Sequence, residues 1–555
     1  MRRRRAPGAA DRLGRLASLV VLPLLLLETG CANPPTLAEI RALRPEPTRI
    51  LGPRGALDRR QIQLVLQGLR EEGRGTDILD RHLGIEQAVA DTPLTIGNRA
   101  ALLVDGPPTF RAMFAAIRAA RHHVNAEFFI VDPNGIGREF ADLLLAKRAE
   151  GVEVNLVYDA VGSDQTPASY FERLRAGGVN LLEFHPIDLF DTGPDGWSPN
   201  DRDHRKILIV DGEVAFTGGI NISTVYGDTR SPAPDPARGE GPPGVKWRDT
   251  SVELEGPVVA ELQRLFLRHW AEHGGGPLRE ADFFPARARA GDDAVRVIGS
   301  SPEHHPDAFY AALISAIESA ERRVHVTQSY FAPPPAELRA LADAARRGID
   351  VTLILAGPTD EPLVVAAGQA DYGELLAAGV TILERQGVVL HSKTVVIDGV
   401  WSSVGSSNLD YRSVLYNDEA DAIVVGASFG EAMEGMFADD LSHSAPVDAA
   451  RWARRGVGER VRDEQRVRPH LDLLAHELHR ELERRRARAH DHGVAVHHQL
   501  GRRSPDQRLL GHRDAGLLVE ARLERVARAG TGHTARVRDA SSGGELAQVA
   551  ADGDG

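Results

Sequence analysis

Two halves of this chain repeat one rhythm of apolar and polar positions. In TFRAMFAAIRAARHHVNAEFFIV (109–131) the apolar residues first recur at helical spacing, then close up into a continuous run. That pattern predicts an amphipathic helix followed by a buried strand. REFADLLLAKRAEGVEVNLVYD (138–159) and YFERLRAGGVNLLEF (170–184) repeat it, each with glycine between helix and strand. DAFYAALISAIESAERRVHVTQSYF (307–331), AELRALADAARRGIDVTLILAG (336–357) and YGELLAAGVTILE (372–384) then follow in the same order. A glycine placed there suits the left-handed residue that ends a helix. Helices alternating with strands predict an α/β fold with mostly parallel or mixed sheets.

The repeat sets the expected organisation. Residues 97–285 and 290–445 read as two similar domains, each of ordinary domain size. Two such domains can pack about a pseudo-twofold axis, which brings corresponding elements to one interface. Residues 32–96 are polar with scattered helical signals, such as RQIQLVLQGLREE (60–72), and read as a linker and packing segment. Residues 446–489 read as charged helices wrapping the domain. Residues 490–555 lose periodicity and end in Gly, Ser and Asp, so a disordered tail is expected. The tail holds His490, His492, His497 and His498, read as a solvated biased segment rather than a metal cluster.

The N-terminus departs from this texture. Arg2 to Arg5, Arg12 and Arg15 precede an apolar run from Leu16 to Leu27, which has the length of a signal peptide and is short for a membrane span. Thr29 and Gly30 then precede Cys31, the single cysteine. The stretch 1–31 resembles a bacterial lipoprotein signal in which Cys31 is acylated, although Glu28 departs from that pattern. An uncleaved anchor or a plain secretory signal are the alternatives. Each leaves the body of the protein in the cell envelope, outside the cytoplasm.

Composition narrows the chemistry. A net charge of −13 over 555 residues argues against a generic nucleic-acid binder. Nearly every cationic position is Arg; the only lysines are Lys147, Lys206, Lys246 and Lys393. A lysine in such a chain marks a place where a compact ammonium serves better than a planar guanidinium.

Two of those lysines sit in matching cassettes, DHRKILIVDGEVAFTGGIN (203–221) and LHSKTVVIDGVWSSVGSSN (390–408). In each, the His and the Lys two residues on share one face of a strand. Asp211–Gly212 and Asp398–Gly399 are turn signals. Gly218 to Asn221 and Gly405 to Asn408 then bring a loop and a carboxamide back toward that face. Chance gives ~0.15 His–x–Lys pairs in a chain of this composition, so two with equal downstream spacing are a signal. Two imidazoles, two ammonium groups and two carboxamides around one cleft suit a phosphodiester. One imidazole attacks phosphorus while the other protonates the leaving oxygen and later deprotonates the acceptor. In an in-line displacement these tasks fall on opposite sides of phosphorus, which accounts for two copies.

The cassettes resemble the His–x–Lys motif of the phospholipase D superfamily, and the likeness extends over about residues 97–475 toward bacterial cardiolipin synthases. KWRDTSVELEGPVVAELQRLFLRHW (246–270), QSYFAPPP (328–335), AARRGIDVTLIL (344–355) and NLDYRSVLYNDEA (408–420) carry it further. The resemblance implies two tandem phospholipase D-like domains, each a mixed sheet flanked by helices, sharing one active site. It implies a phosphatidyl-histidine intermediate, with His204 and His391 as nucleophile and acid/base and His204 favoured as nucleophile. Lys206, Lys393, Asn221 and Asn408 would bind phosphate, with Ser406 adding a hydroxyl. A downstream acid would orient each imidazole: Glu419 for His391 and Asp249 for His204. Asp211 and Asp398 belong to the motif, but their turn position points to a structural role. No cofactor and no metal are expected, because two lysines supply the charge that a divalent ion would bring. The expected substrates are membrane phospholipids, phosphatidylglycerol and possibly phosphatidylethanolamine, with no nucleic acid. A phospholipase D hydrolase is the alternative, an exported nuclease a weaker one.

Overall fold

The computed structural model describes residues 34–455 apart from 74–75, 187–200, 228–244, 280–281, 287 and 303–307. Within it the two halves build sheets of the same strand order. In the first, Asn180–Phe184, Glu153–Asp159 and His123–Phe128 pair in parallel. Lys206–Val210, Val214–Gly218, Thr250–Glu255 and Leu94–Val104 continue the sheet antiparallel. In the second, Thr381–Arg385, Asp350–Ala356 and Arg323–Gln328 are parallel. Lys393–Ile397, Trp401–Gly405, Asn417–Val425 and Asp293–Ser300 continue it antiparallel. The sheets join where Leu94–Val104 pairs with Asp293–Ser300, the equivalent strand of the other half. The fold is therefore the expected α/β one, with mixed sheets and two similar halves. The described residues of both halves belong to one compact unit.

The sequence pattern explains the mixture. Parallel strands need a crossover, and amphipathic helices supply it: Ile136–Ala149 between His123–Phe128 and Glu153–Asp159, and Pro335–Arg346 between Arg323–Gln328 and Asp350–Ala356. The cassettes need only a tight turn. Asp211 and Gly212 have φ of 54° and 67°, and Asp398 and Gly399 have 54° and 70°. Turns of positive φ match the right-handed twist of the strands they join. Each aspartate then accepts backbone N–H groups at the start of the neighbouring strand. Asp211 takes those of Arg121, His122 and His123 at 2.8, 2.8 and 2.9 Å. Asp398 takes those of Glu321, Arg322 and Arg323 at 3.0, 2.8 and 2.9 Å.

The segment before residue 97, read as a linker and packing segment, packs on the second half. Its helix Ile78–Val89 lies on the second half and shares that half's apolar core through Leu79 and Leu83. A buried polar network fixes the contact. Glu86 meets His82 at 2.9 Å, Arg296 at 2.6 Å and the Trp401 indole N–H at 3.0 Å. Burial opposes the Glu86 charge, yet Arg296 and His82 hold its carboxyl down at about 2. The hydrophobic pattern alone did not show where the segment packs, because the Glu86–Arg296 pair that fixes it is ionic.

Among the described residues no helix is long and apolar enough to cross a membrane. Residues 1–33, with Cys31, lie outside the described residues, as do 456–555 with the four tail histidines. Of the expected C-terminal helices, Ala449–Ala453 is described. It places Trp452 on Tyr372, ring centroids 5.1 Å apart.

Candidate active site

Each cassette histidine follows a two-residue strand that leaves its own half. Arg202–Asp203 pairs in parallel with the start of Asn417–Val425, and the His204 N–H donates to the Asp418 carbonyl at 2.9 Å. Val389–Leu390 pairs in parallel with Trp247–Arg248, and the His391 N–H donates to the Arg248 carbonyl at 2.8 Å. The two crossings are mates about the pseudo-twofold relation. They bring both cassettes to one interface.

The crossing decides which acid meets which imidazole. His204 Nδ1 lies 3.0 Å from Glu419 Oε2 and 3.1 Å from Oε1. His391 Nδ1 lies 2.7 Å from Asp249 Oδ2. This corrects the sequence-based pairing, which gave Glu419 to His391 and Asp249 to His204. Chain order suggested the acid downstream of each cassette. The backbone bonds above instead seat each imidazole against the residue after its cross-half partner. All four groups are buried, and each imidazole keeps its Nε2 on the ring edge away from its acid.

The two dyads differ electrostatically. Burial would raise the Glu419 carboxyl, but His204, Lys206 and the Ser406 hydroxyl outweigh it and hold the group below the usual range. Ser406 Oγ donates to Oε2 at 2.5 Å, Ser413 Oγ to Oε1 at 2.7 Å, and Asn417 Nδ2 to Oε1 at 3.1 Å. Asp249 has the Thr250 N–H at 2.7 Å, and burial pushes it up to about 7. Burial drives His204 down to about 4 against the pull of Glu419. His391 falls well below its ordinary value through burial and the nearby charges of Lys393, Lys206 and His204.

The lysines stand beside the histidines, each bonded to the backbone carbonyl of its own cassette histidine. Burial lowers Lys206 to about 7 and Lys393 to about 8. Lys206 lies over the Phe129 ring at 5.2 Å, Lys393 over the Tyr330 ring at 5.5 Å. Lys393 also donates to Ser329 Oγ at 2.9 Å. The asparagines brace the strand ends. Asn221 Oδ1 accepts the Ile130 N–H at 3.0 Å, and Asn408 Oδ1 accepts from Ser329 Oγ at 3.1 Å. Ser406 does not extend the phosphate set as the sequence suggested. Its hydroxyl proton goes to Glu419, and the hydroxyl oxygen accepts the Ala420 N–H at 3.0 Å.

Several site residues escaped the sequence reading. Tyr226 places its hydroxyl 3.2 Å from His391 Nδ1 and 3.4 Å from Asn221 Nδ2. Trp247 and Tyr330 flank the same imidazole, centroids 5.0 and 5.8 Å away. Trp247 and Tyr330 fell inside stretches already matched to the family, but no spacing rule singled them out. Among the described residues, Glu127, Asp203 and His269 form the group with spacing to hold a cation. It sits behind His204, where Arg205 already supplies positive charge to Glu127 at 3.4 Å.

Comparison with known proteins agrees with this geometry. A family model described as "Cardiolipin synthase, PLD-like domain" matches residues 113–226 and 313–441. Cardiolipin synthase A of Pseudomonas aeruginosa (strain LESB58) is 37% identical over 355 residues, covering 64% of this chain and 69% of that protein. Cardiolipin synthase of Geobacillus thermodenitrificans (strain NG80-2) is 32% identical over 381 residues, covering 68% and 73%. Joined α/β halves with one shared pair of His–Lys cassettes define a phospholipase D-like enzyme. Within that class, the chain belongs to the cardiolipin synthase family.

Proposed function

We propose that this enzyme transfers a phosphatidyl group from one phospholipid to a hydroxyl of another, through a phosphatidyl-histidine on His204. The observation that carries the reading is the unlike pair of cross-half dyads. Glu419 stays anionic and takes the His204 Nδ1–H, which leaves the Nε2 lone pair free to attack phosphorus. Asp249, pushed up to about 7, keeps one extra proton within its pair with His391 near neutral pH. That proton serves the leaving group.

The steps follow from the positions. His204 Nε2 bonds to phosphorus as the bond to the departing headgroup oxygen breaks, and His391 gives that oxygen a proton. The incoming hydroxyl then loses its proton to His391 while its oxygen bonds phosphorus. The phosphorus–nitrogen bond breaks, and its electron pair returns to His204. Lys206 and Lys393 offset the charge of the non-bridging oxygens. The donor is phosphatidylglycerol, with phosphatidylethanolamine as a second candidate. We place the enzyme at the extracytoplasmic face of the envelope, held through Cys31 or the apolar run before it. Such an anchor would raise the effective concentration of lipid at the site.

The test uses purified full-length protein in detergent–phospholipid micelles with labelled phosphatidylglycerol, with and without phosphatidylethanolamine. Labelled cardiolipin, absent with His204→Ala and with His391→Ala, is the expected result. Phosphatidic acid as the sole product would make the enzyme a hydrolase. DNA cleavage without lipid turnover would leave only the phosphodiester chemistry.

A further inference from the structure

Asp360 is a carboxyl group of the cleft that the phosphate chemistry leaves unused. It stands in the loop after Asp350–Ala356, at the carboxyl end of a parallel strand, where α/β sheets place ligand contacts. Tyr330 donates its hydroxyl to Asp360 Oδ2 at 2.7 Å. The same ring lies beside His391 and beneath the Lys393 ammonium. Asp360 Oδ1 is shielded from solvent and has no hydrogen-bond partner among the described residues. A carboxylate oxygen so placed gains from a donor that a ligand brings.

The first half does otherwise with the equivalent loop. After Glu153–Asp159, the acid Asp159 spends Oδ1 on the backbone N–H groups of Val161 and Gly162. The next acid, Asp164, is exposed. Of these two loops, the one on the His391 side therefore carries the free carboxylate oxygen.

We propose that Asp360, braced by Tyr330, reads a second hydroxyl on the headgroup and so selects polyol acceptors over simple alcohols. The inference rests on the phosphatidyl-transfer reading and names its acceptor class. The reacting hydroxyl faces His391, and a neighbouring hydroxyl of the same polyol donates to Asp360 Oδ1. A simple alcohol has no second donor and leaves that oxygen unpaired. An ammonium headgroup could also pair with a carboxylate, but Lys393 in the same pocket opposes a second cation.

The experiment is an internal competition on the full-length protein. Phosphatidylglycerol is the donor, and deuterated glycerol, 1-propanol and ethanolamine compete at equal concentration. Mass spectrometry reads the ratio of phosphatidyl products, which partitions one intermediate and does not depend on the donor step. Wild type should favour glycerol over 1-propanol, and Asp360→Asn should cut that ratio about tenfold. Tyr330→Phe should cut it less, because Asp360 keeps its carboxyl group and loses only its brace. An unchanged ratio in Asp360→Asn, or a wild-type preference for ethanolamine, would overturn the subsite. Phosphatidic acid with no alcohol product in wild type would sink the transfer reading and the subsite with it. Alcohol transfer without polyol preference would sink the subsite alone.

Discussion

The two dyads occupy equivalent places and are built differently. At the His204 dyad a long acid, Glu419, sits in a web of hydroxyl and amide donors from Ser406, Ser413 and Asn417. At the His391 dyad a shorter acid, Asp249, lies where no side chain fits. A Cβ at Gly219, the counterpart of Ser406, would come within 2.2 Å of Asp249 Oδ1. His204 faces the Phe129 ring, whereas His391 is boxed by Tyr226, Trp247 and Tyr330. A duplicated unit that needed only twice the charge could have stayed symmetric. The donors lavished on Glu419 hold it anionic, and the sparer setting of Asp249 lets its pair keep a proton. Asymmetry at the acids thus divides one histidine's work from the other's.

The harshest way to break the comparison is to remove an imidazole. Loss of the general acid costs ~10²–10⁴ in rate, and loss of the nucleophile costs more. With His391→Ala, a phosphatidyl-enzyme should still form slowly from labelled lipid and survive acid-free denaturing gels. With His204→Ala none should form. A covalent adduct in His204→Ala would reverse the two roles.

The acids come next and test the crossing itself. Glu419→Gln and Asp249→Asn should each slow turnover ~10²-fold or more, as second partners of a working imidazole commonly do. The step affected should follow space rather than chain order. Glu419→Gln should depress formation of the covalent adduct, as a His204 defect does. Asp249→Asn should act on proton delivery, so a donor with an acidic leaving group such as a p-nitrophenyl ester should rescue it. Rescue of Glu419→Gln instead would restore the pairing that chain order suggests.

The lysines set the pH dependence. Their charged forms are present below about 7 for Lys206 and about 8 for Lys393, and are lost as pH rises through those values. Phosphate binding needs the charge, so kcat/KM should fall between pH 7 and 8. Bound phosphate stabilises an ammonium, so the fall in kcat should come at higher pH. A kcat/KM profile flat to pH 9 would show lysines that stay charged in the free enzyme, ~1 unit or more above those values.

Much of this was legible in the chain. The helix–glycine–strand periods gave both sheets, and the cassettes marked His204, Lys206, His391 and Lys393 as one set. The crossing was not legible, because Arg202–Asp203 and Val389–Leu390 are too short to show a strand period. Each is defined by its partner strand in the other half. Asp360 was invisible for a related reason. It is one acid among 79 acidic residues, and only the fold puts it beside Tyr330. The docking of Ile78–Val89 was hidden because Glu86 and Arg296 lie far apart in sequence.

The gentlest test makes the two acids more alike. Ser406→Ala removes one charge-assisted hydrogen bond from Glu419 and keeps the side chain small. Such a bond is worth ~1.5–3 kcal/mol, and Ser413 and Asn417 remain to share the load, so turnover should fall only ~10-fold. The direction on pH is fixed. Ser406 lowers the Glu419 carboxyl, so its loss raises it. The acid limb of kcat/KM should then move to higher pH, toward the behaviour of the Asp249 pair, while adduct formation remains the slowed step. If Ser406 bound phosphate directly, the loss would instead appear in KM with the acid limb unmoved. The limb and the KM therefore separate a hydroxyl that tunes the acid from one that touches substrate.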